Sequence, residues 1–342
     1  MTTMLETREL SKSFTLKRGS LARATDALGW SRPGAGQVYA VNDVSLAVAA
    51  GEVLGLVGES GCGKSTVGRM IAGLLPPTRG TLHFEGADIS APSVDHHLNI
   101  QMVFQNPYAA LNPRQRVDQV IGEAAVYHGL VARADAPAFV AALLRQVGLD
   151  PSYASRYPHQ FSGGQRQRIA IARALALDPK FIVCDEAVSA LDVSVQAQIL
   201  NLFMDLRASK GLTYLFISHN LAVVEHIADR VAIMYLGRIV ELADTRSVFA
   251  RANHPYTQAL IADAPRLDAN VVEHRPIQGE LPSPLNPPSG CTFHPRCPRA
   301  MARCAAEPPA LREIASGHWS ACHLNGDVTP IHSLSTHHDH LN

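Results

Sequence analysis

The 342-residue sequence has few aromatic residues, no excess of either charge and no long apolar run. Its 30 basic residues balance its 30 acidic residues, so no overall field favours nucleic acid or an anionic membrane as a partner. No stretch of about 18 apolar residues occurs, which argues against a membrane-spanning helix. The segment Met1–Glu6 lacks a basic region followed by an apolar one, so we expect no signal peptide. These absences predict a cytosolic protein, in which thiols stay reduced.

Hydrophobic residues make up 46% of the chain, enough to bury a core in one large domain or two. Phe181–Cys184 and Tyr214–Ile217 are short, uninterrupted apolar segments, as the strands of a buried parallel sheet are. They alternate with segments of helical periodicity such as Gln165–Leu177, which predicts an α/β fold. Leu236-Gly237 lies between two further apolar segments and predicts a hairpin.

Between these elements, Val117–Leu149 carries Ala, Leu and Val at helical spacing. The pattern is interrupted near Gly129 and near Pro137. We therefore predict a helical insertion broken at both places.

A glycine-rich loop follows the apolar segment Glu52–Val57 and precedes a helical pattern that begins near Val67. The loop consists of Gly58, Glu59, Ser60, Gly61, Cys62, Gly63, Lys64, Ser65 and Thr66. Strand, glycine loop and helix start in this order predict a phosphate-binding loop, whose backbone N–H groups surround an anion. Lys64 can reach the outer phosphates of a nucleotide, and the Ser65 hydroxyl can ligate Mg²⁺.

Two carboxylates follow the apolar strand Phe181–Cys184. Asp185 stands where P-loop enzymes hold Mg²⁺, at the carboxyl end of a sheet strand. The adjacent Glu186 can polarise a water molecule for in-line attack on a γ-phosphate. An apolar segment that ends in acidic residues is by itself weak evidence for a nucleotide-hydrolysing site. It becomes strong evidence when it follows a P-loop in the sequence.

A third motif overlaps the start of the helix predicted at Gln165–Leu177. Its residues are Ser162, Gly163, Gly164 and Gln165. Ser162 is a good helix N-cap, and a helix start behind two glycines also exposes N–H groups that can hold a phosphate. The segment resembles the signature sequence of ABC-type ATPases, with Phe161 where leucine is more usual.

The other motifs of that family occur in the family's order. Gln105 matches the glutamine that contacts Mg²⁺ and the attacking water, and His219 matches the switch histidine at the γ-phosphate. The D-loop, which communicates across the ATPase dimer, is matched by Ser189, Ala190, Leu191 and Asp192. The resemblance implies catalytic roles for Glu186, His219 and Gln105, Mg²⁺ ligation by Ser65, Gln105 and Asp185, and signature contacts to the ATP of a partner subunit.

Further positions depart from the family pattern or leave alternatives open. Ala187 replaces a common proline and Asn220 a common aspartate, but neither position supplies a catalytic group, so we expect activity to survive. Tyr39, just before the predicted strand Ala40–Val48, is our choice for the ring that stacks on adenine, with Trp30 as the alternative.

Beyond the ATPase motifs, His254–Leu260, Gly279–Pro284 and Gly290–Pro298 resemble the ATPase subunits of dipeptide and oligopeptide importers. Four cysteines lie here: Cys291, Cys297, Cys304 and Cys322. Four thiols in a reducing compartment suggest a metal site, and their spacing lacks the close pairs of structural zinc. Four cysteine ligands also suit a [4Fe–4S] cluster, and the resemblance to importer ATPases implies one, so we predict this cluster, with zinc as the runner-up and free thiols last.

The buried-looking Cys62 and Cys184 are interpreted as small residues that fill space. The histidines of the C-terminal tail could hold metal, but a solvated tail is the preferred interpretation.

The resemblance implies an α/β P-loop ABC ATPase core with a helical subdomain, an antiparallel β part and a small cysteine-containing C-terminal extension. The predicted boundaries are residues 1–265 for the ATPase domain, with its helical subdomain at about 106–178. The extension is predicted at 266–330 and a disordered tail at 331–342.

The implied activity is ATP hydrolysis that drives import of dipeptides or oligopeptides. The implied location is peripheral, on the cytoplasmic face of the inner membrane. The partners would be two transmembrane permease subunits, a second ABC ATPase subunit and an extracytoplasmic peptide-binding protein, with no nucleic acid.

Nickel and glutathione importers share much of this pattern and stay open as alternatives for the cargo. A soluble ABC-type ATPase acting on nucleic acid or the ribosome is the alternative from a different class. The chain lacks that class's second cassette, long coiled coil and basic stripe. An exporter motor is disfavoured by the importer-type C-terminal segments.

Overall fold

The computed structural model describes residues 2–15, 37–91, 94–107, 111–263 and 279–326. The strands are β1 (Thr3–Thr15), β2 (Gln37–Ala49), β3 (Val53–Val57), β4 (Arg79–Phe84), β5 (Ala87–Asp88), β6 (Ile100–Val103), β7 (Phe181–Asp185), β8 (Thr213–Ser218), β9 (Arg230–Tyr235), β10 (Arg238–Asp244), β11 (Arg312–Ala315) and β12 (His318–Ser320).

The helices alternate with these strands through most of the chain. They are α1 (Lys64–Ile71), α2 (Val94–Asn99), α3 (Val117–Tyr127), α4 (Ala136–Gln146), α5 (Gly163–Leu175), α6 (Val193–Lys210), α7 (Leu221–Ile227), α8 (Thr245–Arg251), α9 (Pro255–Asp263) and α10 (Ala302–Ala306). The predicted α/β fold is thereby confirmed.

The larger of two sheets has the strand order β11-β12-β10-β9-β3-β8-β7-β6. Neighbouring strands from β9 to β6 in this order are parallel, whereas β9, β10, β12 and β11 pair antiparallel. The carboxyl ends of the parallel strands therefore meet at one edge, which is where ligands bind in open α/β sheets.

Strand β3 lies in the middle of this sheet and is buried along its whole length. Val53 and Val57 face one apolar cluster, which includes the helical region, while Leu54 and Leu56 face the other. Successive side chains of a strand point to opposite faces, so burial on both faces requires the continuous apolar segment seen in the sequence.

A smaller antiparallel sheet, of order β2-β1-β4-β5, packs on the second of these clusters together with α1. Val44 and Leu46 of β2 and Leu5 of β1 are buried there. This sheet is the antiparallel part that the family resemblance implied.

The helical region between β6 and β7 differs in detail from the sequence prediction. The break near Gly129 is present, and Gly129 has a φ of 71°, which favours glycine. Pro137 does not break a helix but lies in the first turn of α4, where its missing N–H costs no hydrogen bond. Helix α5 begins at Gly163 because Ser162 caps it.

The described part of the C-terminal extension continues the larger sheet. Strand β12 pairs with β10 through Glu241 opposite Ser320 and Leu242 opposite Trp319, and β11 pairs with β12. The predicted boundary at residue 265 and the predicted tail at 331–342 lie outside the described residues. In the ranges that the structure describes, no helix is long and apolar enough to cross a membrane.

Candidate functional site

The glycine-rich loop connects the carboxyl end of β3 to the start of α1. A Cβ at Gly58 would lie 2.1 Å from the Met234 carbonyl oxygen, and one at Gly63 would lie 2.2 Å from the Ala40 carbonyl oxygen. Gly63 also has a φ of 111°. Both positions therefore require glycine, and the loop can turn its N–H groups inward only because they have it.

Lys64 is the first residue of α1 and is buried. Its Nζ donates to the carbonyl oxygens of Gly58 at 2.7 Å and Glu59 at 2.9 Å. The ammonium group is thus held against the backbone of the loop.

Ser65 and Asp185 join the loop to the carboxyl end of β7. The Ser65 hydroxyl donates to Asp185 Oδ1 at 2.7 Å. Burial raises the pKa of Asp185, while the hydrogen bond from Ser65 lowers it. These two oxygen-bearing side chains are the donor type that Mg²⁺ prefers.

Glu186, the next residue, lies among three of the predicted site residues. Gln105 Nε2 donates to Glu186 Oε2 at 2.7 Å and to the Ser189 hydroxyl at 3.3 Å. His219 Nδ1 lies 3.2 Å from Glu186 Oε1. The structure therefore brings together Gln105, Glu186, Ser189 and His219, which come from the ends of β6, β7 and β8.

The signature residues lie at the start of α5. Ser162 and Gln165 form a reciprocal capping box, in which Gln165 N donates to Ser162 Oγ and Ser162 N to Gln165 Oε1. A Cβ at Gly164 would lie 2.5 Å from Val195 Cγ1 of α6, and one at Gly163 would lie 3.5 Å from Leu191 Cδ2 of the D-loop. The signature thus packs beside the D-loop and the start of α6, and the lack of a side chain at Gly164 permits the close approach of Val195.

Tyr39, the predicted adenine-stacking residue, lies on β2 and is 47% exposed. It precedes Ala40, whose carbonyl faces Gly63 of the loop. A cavity of about 240 Å³ adjoins the ring and is lined by residues that include Leu236 and Pro284. The alternative, Trp30, lies outside the described residues.

The residues that depart from the family pattern have the following surroundings in the structure. Asn220 caps α7, because its side-chain oxygen accepts a hydrogen bond from Ala222 N at 3.0 Å, as an aspartate would. Phe161 is buried, and its ring contacts that of Tyr153 with centroids 5.4 Å apart. Ala187 is buried directly after Glu186.

Sequence reasoning missed two side chains that contact the loop. The Tyr256 hydroxyl accepts a hydrogen bond from Glu59 N at 2.9 Å. Arg296 donates to both Glu59 carboxylate oxygens, at 2.8 and 3.1 Å. Both lie in the segments that carry the importer resemblance, but only the tertiary structure shows what they contact.

The four cysteines of the extension lie close enough to interact electrostatically. Burial, together with the neighbouring thiols of Cys304, Cys322 and Cys297, raises the pKa of Cys291 to about 11. No group of three or more His, Cys, Asp or Glu side chains in the described ranges is arranged to hold a metal ion. Thiols are the donors that bind iron–sulfur clusters, but the arrangement of these four in the described residues does not form a metal site.

Cys62 and Cys184 are fully buried, in agreement with a space-filling role. Burial raises the pKa of both thiols.

A P-loop, paired carboxylates behind it and a glycine-led signature helix together define an ABC-type ATPase. A family model described as ABC transporter matches residues 41–189, and one described as the C-terminal region of oligopeptide/dipeptide transporters matches residues 240–304.

Two relatives match nearly the whole chain. An oligopeptide transport ATP-binding protein of Bacillus subtilis is 48% identical over 330 residues, which are 94% of this chain and 97% of that protein. A di/tripeptide transport ATP-binding protein of Pseudomonas aeruginosa is 46% identical over 328 residues, 94% of this chain and 98% of that protein. The chain belongs to the family of ATP-binding proteins of peptide ABC transporters.

Solved structures confirm the fold. An ATP-binding cassette in a dimeric post-hydrolysis state, bound to ADP and phosphate, has a TM-score of 0.59 at 24% identity and covers 71% of this chain and 99% of that one. The protein cbiO1 of Clostridium perfringens, part of the ABC transporter complex cbiONQ, has a TM-score of 0.60 at 25% identity; the match covers 73% of this chain and 92% of that one.

Proposed function

We propose that this protein hydrolyses ATP to drive the import of short peptides across the cytoplasmic membrane. The observation that carries the proposal is the match of both the cassette and the C-terminal region to peptide transporters, together with relatives of nearly equal length. The chain would act peripherally on the cytoplasmic face of the inner membrane.

Within the site, Glu186 is the group that polarises the attacking water. Gln105 and His219 both contact Glu186, so they orient its two oxygens and lie where a γ-phosphate would be sensed. Ser65, Asp185 and Gln105 would hold Mg²⁺, which neutralises charge on the phosphates when bound. Lys64 and the N–H groups of residues 58 to 66 bind the triphosphate, and Tyr39 stacks on adenine.

A complete site needs a second ATPase subunit, because the chain has one P-loop and one signature. Ser162, Gly163, Gly164 and Gln165 would contact the ATP held by that partner, and the D-loop would communicate with it. ATP binding then favours the closed pair and hydrolysis weakens it.

The helical region is the proposed docking surface for the permease, which consists of two transmembrane subunits. A groove of about 750 Å³ runs between α3 and α4 and is lined by residues that include Gly122, Val126 and Val140. Tyr127 at its rim is 83% exposed. The lining also includes the charged residues Asp118, Glu123 and Arg133. A groove with apolar and charged walls and an exposed aromatic residue suits an inserted helix of a membrane subunit. An extracytoplasmic peptide-binding protein would deliver the cargo.

We also propose that Cys291, Cys297, Cys304 and Cys322 hold a [4Fe–4S] cluster, with zinc as the runner-up. The mutual proximity of the four thiols supports the proposal. Anaerobically purified protein should show a visible absorbance band that Cys297→Ser removes. Bound zinc without that band would favour the zinc site. Protein that contains neither iron nor zinc would indicate that the four thiols are free.

The transport proposal is tested by uptake in cells that lack the gene. We expect labelled di-, tri- or pentapeptide uptake to be lost on deletion, restored by the normal gene and not restored by Lys64→Ala. Nickel and glutathione serve as alternative cargoes. Peptide uptake that is unchanged by the deletion, with loss of nickel or glutathione uptake, would reassign the cargo.

A further inference from the structure

Glu59 is the one carboxylate within the glycine-rich loop of residues 58 to 66. A loop that binds a polyphosphate has a physical reason to exclude negative charge, because the carboxylate repels the ligand. The structure shows how this charge is accommodated. Every polar group of Glu59 is engaged by a different part of the molecule.

The Glu59 backbone is held from two sides. Its N–H donates to the Tyr256 hydroxyl at 2.9 Å, and its carbonyl accepts from Lys64 Nζ at 2.9 Å. Tyr256 is fully buried at the start of α9. The Glu59 N–H is thus bonded within the protein and does not point to a ligand, and its hydrogen bond to Tyr256 fixes the orientation of this part of the loop.

The Glu59 side chain is held by the C-terminal extension. Arg296 forms a bidentate ion pair with it, at 2.8 and 3.1 Å. The side chain of Arg296 is only 7% exposed and that of Glu59 22%. Charge-assisted pairs with this geometry are stronger than neutral hydrogen bonds, and burial reduces screening by salt.

The position of Arg296 is fixed by its neighbours. It ends a short 3₁₀ turn between Cys291 and Cys297, and its guanidinium lies 5.9 Å from the Tyr235 ring centroid. Phe293 of the same segment packs on Tyr235 and Tyr256, with ring centroids 5.3 Å apart in both pairs. The cysteine-bearing segment is therefore anchored directly to the loop.

We propose that Arg296 is a positioning residue of the ATP site: through Glu59 it neutralises the carboxylate in the loop and holds the loop ready for the triphosphate. The cysteine-containing extension thereby completes the nucleotide site of its own chain. The proposal rests on ATP as the ligand of the loop and is independent of the cargo proposed above.

The test measures binding of Mg·ATP and Mg·ADP to the purified full-length chain by calorimetry. Arg296→Ala leaves an unpaired carboxylate in the loop that binds the triphosphate, so we expect ATP affinity to fall about tenfold. The loss should be smaller for ADP, which carries less negative charge. Arg303→Ala is the matched control, because Arg303 pairs with Glu307 on the exposed surface of the same extension, and we expect a change below about twofold.

A second background separates positioning from general stability. In Glu59→Gln protein the carboxylate is gone, so adding Arg296→Ala should change ATP affinity by less than about twofold relative to Glu59→Gln alone. Arg296→Lys keeps the charge but not the bidentate geometry and should lose about threefold, again only when Glu59 is present.

Equal losses with and without Glu59, or equal losses for ATP and ADP, would overturn the proposal, as would unchanged binding by Arg296→Ala. If Arg296→Ala does not fold, Arg296→Lys is measured in the normal and the Glu59→Gln backgrounds, and the same comparison decides. Failure of peptide uptake with normal ATP binding would instead count against the proposed cargo, so the two results are distinguishable.

Discussion

At the scale of single residues, Glu186 has an unusual setting. Its φ is 49°, in the left-handed region, and its backbone N–H donates to the Ile217 carbonyl of β8 at 3.0 Å. Its two carboxylate oxygens face Gln105 and His219. Strained backbone held by neighbouring strands is common where a side chain must be aimed at a reaction.

We expect Glu186→Gln to bind ATP normally but to lower the ATPase rate by at least about 100-fold, because an amide cannot accept the proton of water. The measurement is steady-state ATPase of the assembled transporter with nucleotide binding in parallel. The control is Glu225→Gln on the exposed face of α7. Rapid hydrolysis by Glu186→Gln would contradict the role of the carboxylate.

A second residue-scale prediction concerns pH and His254. Burial lowers the pKa of His254 to about 4, although a hydrogen bond with the Ala321 backbone opposes the shift. Between about pH 4 and 6.5 the unfolded chain therefore binds the extra proton, so stability falls as the pH falls through this window. The loss attributable to His254 reaches roughly 3 kcal/mol at the acid end.

This prediction is checked by measuring the denaturation of His254→Asn between pH 4 and 7. Asparagine is chosen because its side-chain oxygen can accept the hydrogen bond that the Tyr256 N–H donates to His254 Nδ1. The variant should show a shallower pH dependence than the normal chain. His226→Asn, at an exposed position of α7, is the matched control. Parallel pH profiles for all three proteins would show that His254 is not the titrating group.

The motif residues were predictable from sequence because each motif is local. Lys64, Asp185 and Glu186 follow apolar strands within a few positions, and parallel strands bring such ends together. The contacts of Arg296 were not predictable in this way. It lies 237 residues from Glu59, and neither periodicity nor spacing specifies a pair at that separation.

At the scale of elements, helix α7 packs unusually close to strand β3. A Cβ at Gly55 would lie 2.4 Å from Val224 Cγ1 and 3.2 Å from Ala228 Cβ. Valine is rigid at χ1, so the contact cannot be relieved by a rotamer change. The helix that follows His219 therefore sits on the strand that leads into the P-loop.

We predict that Gly55→Ala lowers the free energy of unfolding by about 1–3 kcal/mol through overpacking. In a Val224→Ala background the same change should cost much less, because the space for the new methyl group has been made. Chemical denaturation of the four proteins of this cycle gives the answer. Equal costs in both backgrounds would mean that the helix and strand can move apart freely.

Element types were easier to predict than element ends. The helix predicted at Gln165–Leu177 is present at Gly163–Leu175, displaced because the Ser162 cap outweighs the low helix propensity of two glycines. Pro137 was predicted as a break but starts α4, since proline fits the first turn. The pairing of β12 with β10 depends on a contact across the chain that no local pattern specifies.

At the scale of the whole molecule, the signature and the P-loop serve different ATP molecules in the proposed dimer. Gly163 is exposed at the first position of α5, and a Cβ there meets only ordinary contact distances. An aspartate at this position would suit the helix dipole and yet repel a partner's phosphate.

Gly163→Asp should therefore leave ATP binding to the isolated chain unchanged, while the ATPase of the assembled transporter falls at least about tenfold. The matched control is Gly163→Asn, which adds similar bulk without charge and should lose less. Weaker ATP binding by the isolated Gly163→Asp chain would indicate that signature and P-loop serve the same nucleotide.

The hairpin of β11 and β12 has a further consequence for how this protein can be handled. It covers β10, whose interior residues are apolar except for the buried Glu241 and whose backbone would otherwise present unpaired N–H and C=O groups at the edge of the sheet. An exposed edge strand of this kind can pair with a strand of another molecule and so promote aggregation. Outermost β11 is short and carries Arg312 and Glu313, which blunts that hazard. A truncated cassette that ends near residue 265 would lose this protection, so recombinant work should keep the chain intact.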